Sequence, residues 1–261
     1  MINIVVLIFI IVTAILGYYF RLLTLSGSIA AAVVGIFTAL GLGLKGLFVL
    51  GLFFASSSFW SKYKRSRKSK VEERHEKGST RDWQQVVANG GAAGMVSFVY
   101  FINPDPIWVM VYCILLSSAN SDTWASEIGT LSKTKPFSLR TFSLVPSGTS
   151  GAVSMLGTWA ALAGASLIAV SSKLIFSFSI QAMFFIAVLG FLGNLIDTIL
   201  GAYIQASYKC RECGLETEKL IHCNGKTVKI KGFQQMNNDL VNFLSSLLAA
   251  IFGLIILLVL G

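Results

Sequence analysis

Charge is what this sequence has least of. Only 13% of its 261 residues are Asp, Glu, Lys or Arg, about half the share of an ordinary soluble domain. A chain so poor in charge cannot cover a water-facing surface. Proline is scarce too, four in all, so little interrupts the apolar runs. No Walker A glycine–lysine motif and no protein-kinase signature is present, which excludes the soluble kinase folds that depend on them. The N-terminus lacks the basic stretch and small-residue cleavage site of a signal peptide, so the first apolar run is expected to stay as a helix.

What is there is hydrophobic: 54% of the residues, with a mean hydropathy of +0.72. Apolar runs recur at the roughly 20-residue length that a bilayer demands. They fall at 2–20, 24–42, 43–60, 84–102, 107–128, 150–170, 178–204 and 238–260. The stretch 22–60 reads either as two spans or as one span with a re-entrant piece. The expected fold is all-α, a polytopic membrane bundle of about eight helices (seven to nine) in a single transmembrane domain, 1–261. Basic loops at 61–82 and 205–236 project from it.

The net charge of +9 is uneven. Nine of the 21 Lys and Arg lie in 62–81, three in 133–140 and six in 209–231. Cytoplasmic loops are the ones enriched in Lys and Arg. These loops are therefore expected in the cytoplasm, with both termini outside, in a bacterial plasma membrane. The basic runs read as topology and attraction to anionic headgroups, not as a nucleic-acid surface.

Against this background the stretch 117-SSANSDTWASEIGT-130 stands out, because it puts acids at the end of an apolar span. Ionisable groups in membrane helices are costly and serve a function or pair with something. Further polar segments lie at 81-RDWQQVVANGG-91, 193-GNLIDTILGA-202 and 237-NNDLVN-242, all toward the same membrane face. Asn120, Thr123 and Glu127 share one helical face, Asp122 the neighbouring one, and Asn194 and Asp197 recur at helical spacing. Asn238 faces Asn242 in the same way. Asp122, Glu127, Asp197 and Asp239 together suit Mg²⁺, which takes one or two carboxylates and completes its shell with water or phosphate. Asn120, Thr123, Asn194, Asn238 and Asn242 are expected to orient ligands, although Asn and Thr in membrane helices also serve simply to bond a neighbouring helix.

The segment 146-PSGTSGAVS-154 supplies the opposite chemistry. Ser147, Gly148, Thr149, Ser150 and Gly151 read as a loop entering a helix N-terminus, where backbone N–H groups favour phosphate. A plain helix cap is the competing reading. Lys62, Arg81 and Arg140 are the side chains expected to bind anions, with Asn89 beside them. Cys210, Cys213, His222 and Cys223 form a C-x-x-C…H-C pattern that suggests a zinc knuckle. A simple hairpin about Asn224-Gly225 is preferred here, because adjacent His222 and Cys223 cannot easily both reach one ion.

The motifs N-x-D-T-x-A-x-E-I-G, V-P-x-G-T-x-G-x-V-S, G-N-x-x-D-T-x-x-G-A and N-D-x-V-N follow one another in this chain. In that order they resemble an integral membrane family that includes the plant chloroplast phytyl-phosphate kinase and a human multi-spanning transmembrane protein. The resemblance runs from about residue 25 to 255. It implies a phosphotransferase that converts an isoprenoid monophosphate to the diphosphate, with a nucleoside triphosphate, CTP the plausible donor, and Mg²⁺. Two other readings compete: a cytidylyltransferase that forms a CDP-lipid, and a transporter or flippase of a phosphorylated lipid.

Overall fold

In a bilayer every backbone N–H and C=O must be paired within the chain, so apolar runs of this length close into helices. The computed structural model describes residues 3–260; residues 1, 2 and 261 of the expected domain lie outside the described ones. Helix α1 (Ile4–Tyr19) starts at Asn3, whose side chain accepts a hydrogen bond from the Val5 N–H. Helix α2 (Leu25–Lys62) is 38 residues long and breaks at Gly43, where φ is 58° and ψ is −146°. That conformation is open essentially to glycine alone. Gly35 of the first arm packs beside Leu47 of the second, and Val34 and Leu50 meet at Gly90. The two arms therefore run back alongside each other as separate crossings, as the split at 42–43 predicts.

A short α3 (Arg65–Glu72) follows, then α4 (Trp83–Val86), a π-helical turn (Val87–Gly91) and α5 (Ala92–Ile102) in one continuous crossing. The remaining crossings are α6 (Pro106–Gly129), α7 (Met155–Phe176), α8 (Ile180–Tyr203) and α9 (Asn238–Leu260). Helix α6 equals α8 in length, 24 residues, but its last two turns are polar. Successive passes bring 20–24, 63–82, 130–154 and 204–237 to one end of the bundle. Leu23 bridges Arg81, Gly148 packs on Val71, and Lys231 reaches the Ser150 carbonyl. All three basic loops thus share an end.

The loops hold short antiparallel strands that the all-α expectation did not include. Strands β1 (Phe137–Ser138), β2 (Ser143–Leu144) and β3 (Ala152–Val153) form one sheet, in the order β2-β1-β3. In the last loop β4 (Ser207–Lys209) pairs with β5 (Glu216–Thr217) and with a later strand, while β6 (Ile221–His222) and β7 (Gly225–Lys226) make a hairpin. That later strand is β8 (Val228–Lys231). Most are two residues long, too short for a two-residue alternation to register in sequence.

Helix α6 lies at the centre, against α2, α5, α7, α8 and α9. Tyr112, Ile114 and Leu116 are fully buried in its core stretch. Without a hydrophobic drive between helices in lipid, close packing and interhelical hydrogen bonds hold them. Ser117 donates to the carbonyls of Ala165 on α7 and Ile186 on α8, and Ser121 donates to Ala161. Gly190 and Gly193 of α8 let Ser117 and Ser118 approach so closely that an added Cβ would overlap each hydroxyl.

Candidate functional site

The α6–α8 seam runs upward from Ser117–Gly190 and Ser118–Gly193. Since the helices run in parallel, the next contact along it joins Asp122 to Asp197. Their carboxyl groups face each other within hydrogen-bonding range. Ser245 of α9 donates to Asp197 Oδ2 at 3.0 Å. With its amide nitrogen toward α8, Asn242 donates to the same oxygen at 3.0 Å and to the Asn238 carbonyl at 3.1 Å. Among the described residues neither acid has a Lys or Arg partner. Two carboxylates this close require a shared proton or a cation between them.

These two acids open into a cavity of about 300 Å³ at the end carrying the basic loops. Glu127 and Asp239 also line it, but their charge is already met. Lys68 of α3, itself 4% exposed, lies 2.6 Å from Glu127 and also donates to the Trp60 carbonyl. Lys77 bonds Asp239, and stands 2.8 Å from Asp82. The expected quartet of metal ligands therefore divides into one uncompensated pair and two ion-paired acids. Among the described residues it forms no set of three close enough to share an ion. Within the basic run 62–81 the sequence reading selects only Lys62 and Arg81, as anion binders, and misses Lys68 and Lys77; buried acids beside a basic loop are the signal.

Arg81 and Asn89 also line the cavity. The Arg81 guanidinium lies over the Phe53 and Phe54 rings, 5.9 and 5.8 Å from their centroids. Among the described residues it has no ion pair. Asp82 then starts α4 through a capping box with Gln85. Asn89 sits in the π-helical turn and donates to the Gln85 carbonyl at 2.9 Å. Such single π turns interrupt helices chiefly at functional sites.

Residues 147–151 border the cavity as expected, but they do not run directly into a helix. Strand β3 intervenes, and Ser154 caps α7 by accepting from the Gly157 N–H at 3.1 Å. The loop is instead clasped from below. Ser150 donates to the Gly201 carbonyl and to Gln205 Oε1, at 2.9 and 2.8 Å. Lys231 Nζ donates to the Gly201 and Ser150 carbonyls, at 2.6 and 3.1 Å, placing a cation on the C-terminal end of α8 where the helix dipole favours it. Gly151 (φ 76°) lies so close to the Ala202 backbone that no side chain fits. Gln205 reaches on to Glu218, which pairs with His75 at 3.4 Å. Burial works against a charged His75, but the Glu218 hydrogen bond and charge outweigh it and hold the imidazole above its ordinary value. Burial works against Glu218 likewise, and His75 more than offsets it, holding the carboxyl below its usual range. Gln205, Glu218, Lys231 and His75 carry no periodic or motif signal, and sequence reading did not select them.

Thr123, Asn194, Asn238 and Asn242 line the cavity. Three other expected site residues do not. Asn120 is fully buried one turn deeper, accepting from Ser56 and Ser57 at 3.1 Å each and donating to the Gly164 carbonyl at 2.7 Å, so its amide is spent on helix packing. Lys62 donates to the Phe20 carbonyl outside the site. Arg140 is exposed beyond β1 and off the cavity wall. Cys210, Cys213, His222 and Cys223 gather in the last loop, away from the acids.

The family description "Integral membrane protein DUF92" matches residues 8–250. Protein PGR of Arabidopsis thaliana is 30% identical over 262 residues, covering 90% of this chain and 88% of that protein. The membrane protein MJ0933 of Methanocaldococcus jannaschii is 28% identical over 239 residues, 90% of this chain and 86% of its own. Protein VTE6, chloroplastic, also of Arabidopsis thaliana, is 25% identical over 239 residues, 89% of this chain and 65% of that protein. No solved structure matches. With its apolar helices bundled about a polar cavity and a match across nearly its whole length, the chain belongs to the DUF92 family of integral membrane proteins.

Proposed function

We propose that this protein is a membrane-embedded prenyl-phosphate kinase, which adds a second phosphate to an isoprenoid monophosphate from a nucleoside triphosphate, CTP the favoured donor. The observation that carries the reading is the uncompensated Asp122–Asp197 pair, which lines the same polar cavity as Arg81 at the basic end. The ordered motifs shared with the family of the chloroplast phytyl-phosphate kinase add the reaction class. A cavity of about 300 Å³ is at the small end of ligand pockets. It suits phosphoryl groups, and leaves the nucleoside at the mouth and the prenyl tail among the helices. By the positive-inside rule this mouth opens to the cytoplasm.

The donor set suits Mg²⁺: two facing carboxylates without a cationic side chain, and polar neighbours in Asn194, Asn242 and Thr198. Asp122 and Asp197 would hold the ion, which would supply charge neutralisation for phosphate groups. The chain's own residues do the rest. Arg81, without an ion-pair partner among the described residues, stabilises the charge on the transferring phosphoryl group. Ser245 and Asn242 fix the Asp197 carboxylate, and the clasped 147–151 loop walls in the phosphates. An oxygen of the prenyl phosphate attacks the terminal phosphorus of the donor, the bond to the bridging oxygen breaks, and the nucleoside diphosphate leaves. The acceptor is already ionised, so positioning and charge stabilisation suffice without a dedicated base.

Purified protein with a prenyl monophosphate, Mg²⁺ and each nucleoside triphosphate in turn is expected to yield the prenyl diphosphate. Release of pyrophosphate with a CDP-lipid would identify a cytidylyltransferase instead. Movement of the lipid across proteoliposomes without conversion would identify a transporter.

A further inference from the structure

The last loop carries a second constellation that the kinase reading does not use. Cys210, Cys213, His222 and Cys223 each present one ligand atom, and all four atoms lie within 4.8 Å of one another. Among the described residues they are the one group of three or more His, Cys, Asp or Glu so placed. The objection that adjacent His222 and Cys223 cannot share an ion is met by the backbone. Cys223 and Asn224 take φ of 50° and 59° in the two-residue turn between β6 and β7. That left-handed pair is the tight hairpin turn, and it swings the Cys223 sulfur back toward the His222 ring. Hairpin and metal site, alternatives at the level of sequence, are thus compatible.

The distances fit a tetrahedral ion. Zn–S bonds of about 2.3 Å and Zn–N bonds of about 2.0–2.1 Å set an imidazole nitrogen about 3.5 Å from each sulfur. His222 Nδ1 stands 3.5 Å from Cys213 Sγ and 3.2 Å from Cys223 Sγ. The turn after Cys210 points the backbone N–H groups of Glu212 and Cys213 at the Cys210 sulfur, and Gly214 (φ 73°) closes it. A separate observation comes from the far side of the ring. His222 Nε2 lies 3.5 Å from a Glu73 carboxylate oxygen. An outer carboxylate on the second nitrogen is the usual means of fixing a ligating histidine.

We propose that Cys210, Cys213 and Cys223, through their sulfurs, and His222, through Nδ1, bind one Zn²⁺ ion as a structural knuckle. Three soft thiolates and an imidazole with no open position are the chemistry of a closed zinc site. The site staples the β4–β5 turn, which carries Cys210 and Cys213, to the β6–β7 hairpin, and so sets the position of Glu218 between β5 and β6. Glu218 in turn holds His75 and Gln205 at the cavity wall. Glu73 is a positioning residue that ties the knuckle to the 73–77 segment, where the Arg74 carbonyl accepts from Thr217 and Glu218.

The test uses the full-length protein purified under reductant without added chelator, with bound metals measured by mass spectrometry. About one zinc per chain is expected, and exchange for Co²⁺ should give tetrahedral d–d absorbance with sulfur-to-cobalt charge transfer. The double variant Cys213→Ser/Cys223→Ser should lose the metal, and Cys113→Ala, altered in the core away from the loop, should keep it. Glu73→Gln should retain the cobalt spectrum but weaken zinc about 10-fold or more in chelator competition. Because the double variant can misfold, wild-type protein stripped of metal is titrated with a thiol reagent as well. Slowed reaction of the loop thiols on zinc addition supports the site. Absence of zinc together with equal thiol reactivity with and without zinc overturns it, as does zinc that survives in the double variant.

Discussion

Two pairs of helices meet at the same end of this bundle and treat their acids in opposite ways. Where α3 and the 73–82 segment meet α6 and α9, each carboxylate has a lysine: Glu127 has Lys68, and Asp239 shares Lys77 with Asp82. Where α6 meets α8 directly, Asp122 and Asp197 face each other, and the groups that bond Asp197 among the described residues are a hydroxyl and an amide. The first arrangement is what a fold does with a buried charge it must neutralise. The second leaves like charges uncompensated, an arrangement that functional sites retain for a cation or a proton.

Single substitutions should separate the two. Asp122→Asn or Asp197→Asn is expected to lower turnover at least about 100-fold, the order expected for losing metal-borne charge stabilisation. Either change also relieves repulsion, so the melting temperature in detergent should hold or rise. Unchanged turnover in both variants would abolish the distinction. Lys68→Met should behave the other way. Stranding Glu127, which is 23% exposed, should cost about 2 kcal/mol of stability, below the range for fully buried pairs. Adding Glu127→Gln should restore much of that loss, as a thermal-unfolding double-mutant cycle would show.

Smaller effects extend the contrast beyond the acids. Gly43→Ala has open space around its Cβ, so only backbone strain opposes it, at roughly 1–2 kcal/mol. A Tm drop with Mg²⁺-dependent activity intact would confine that residue to the α2 turn. The His75–Glu218 link should show itself through pH. His75 is held above 6.5, so its contribution is complete below that value and fades as pH rises through the folded pKa. Glu218 is held below 4.5, so its contribution is present above that value and fades as pH falls through the folded pKa. The link is thus strongest between 4.5 and 6.5. His75 is about a third exposed, so the effect should stay under about 1 kcal/mol. The gap in Tm between wild type and His75→Gln should narrow from about pH 5.5 to pH 9; a constant gap would remove the ion pair from the account.

The crossings were legible because bilayer thickness imposes a length on every one, and even the split at Gly43 lay where one apolar run met another. The acids were legible because ionisable groups in apolar helices are rare. Their pairing was not, since Lys68 and Lys77 lie in a basic loop whose charges serve topology equally well. Lys231 and Glu218 come from a loop without period, placed by strands of two to four residues too short to leave a clear pattern. Asn120 misled for a physical reason: it shares a helical face with Glu127 but sits deeper, where an amide's best partners are the neighbouring helices.

The seam of Ser117 on Gly190 and Ser118 on Gly193 has one more consequence. Because those contacts lie in the bundle's interior, the gap between Asp122 and Asp197 is gauged by the deep half of two parallel helices and not by the loops above. Changes in the loops and lipid-facing surfaces would then leave the spacing of the two acids unchanged. A single rigid ruler in the core thus sets the two acids apart.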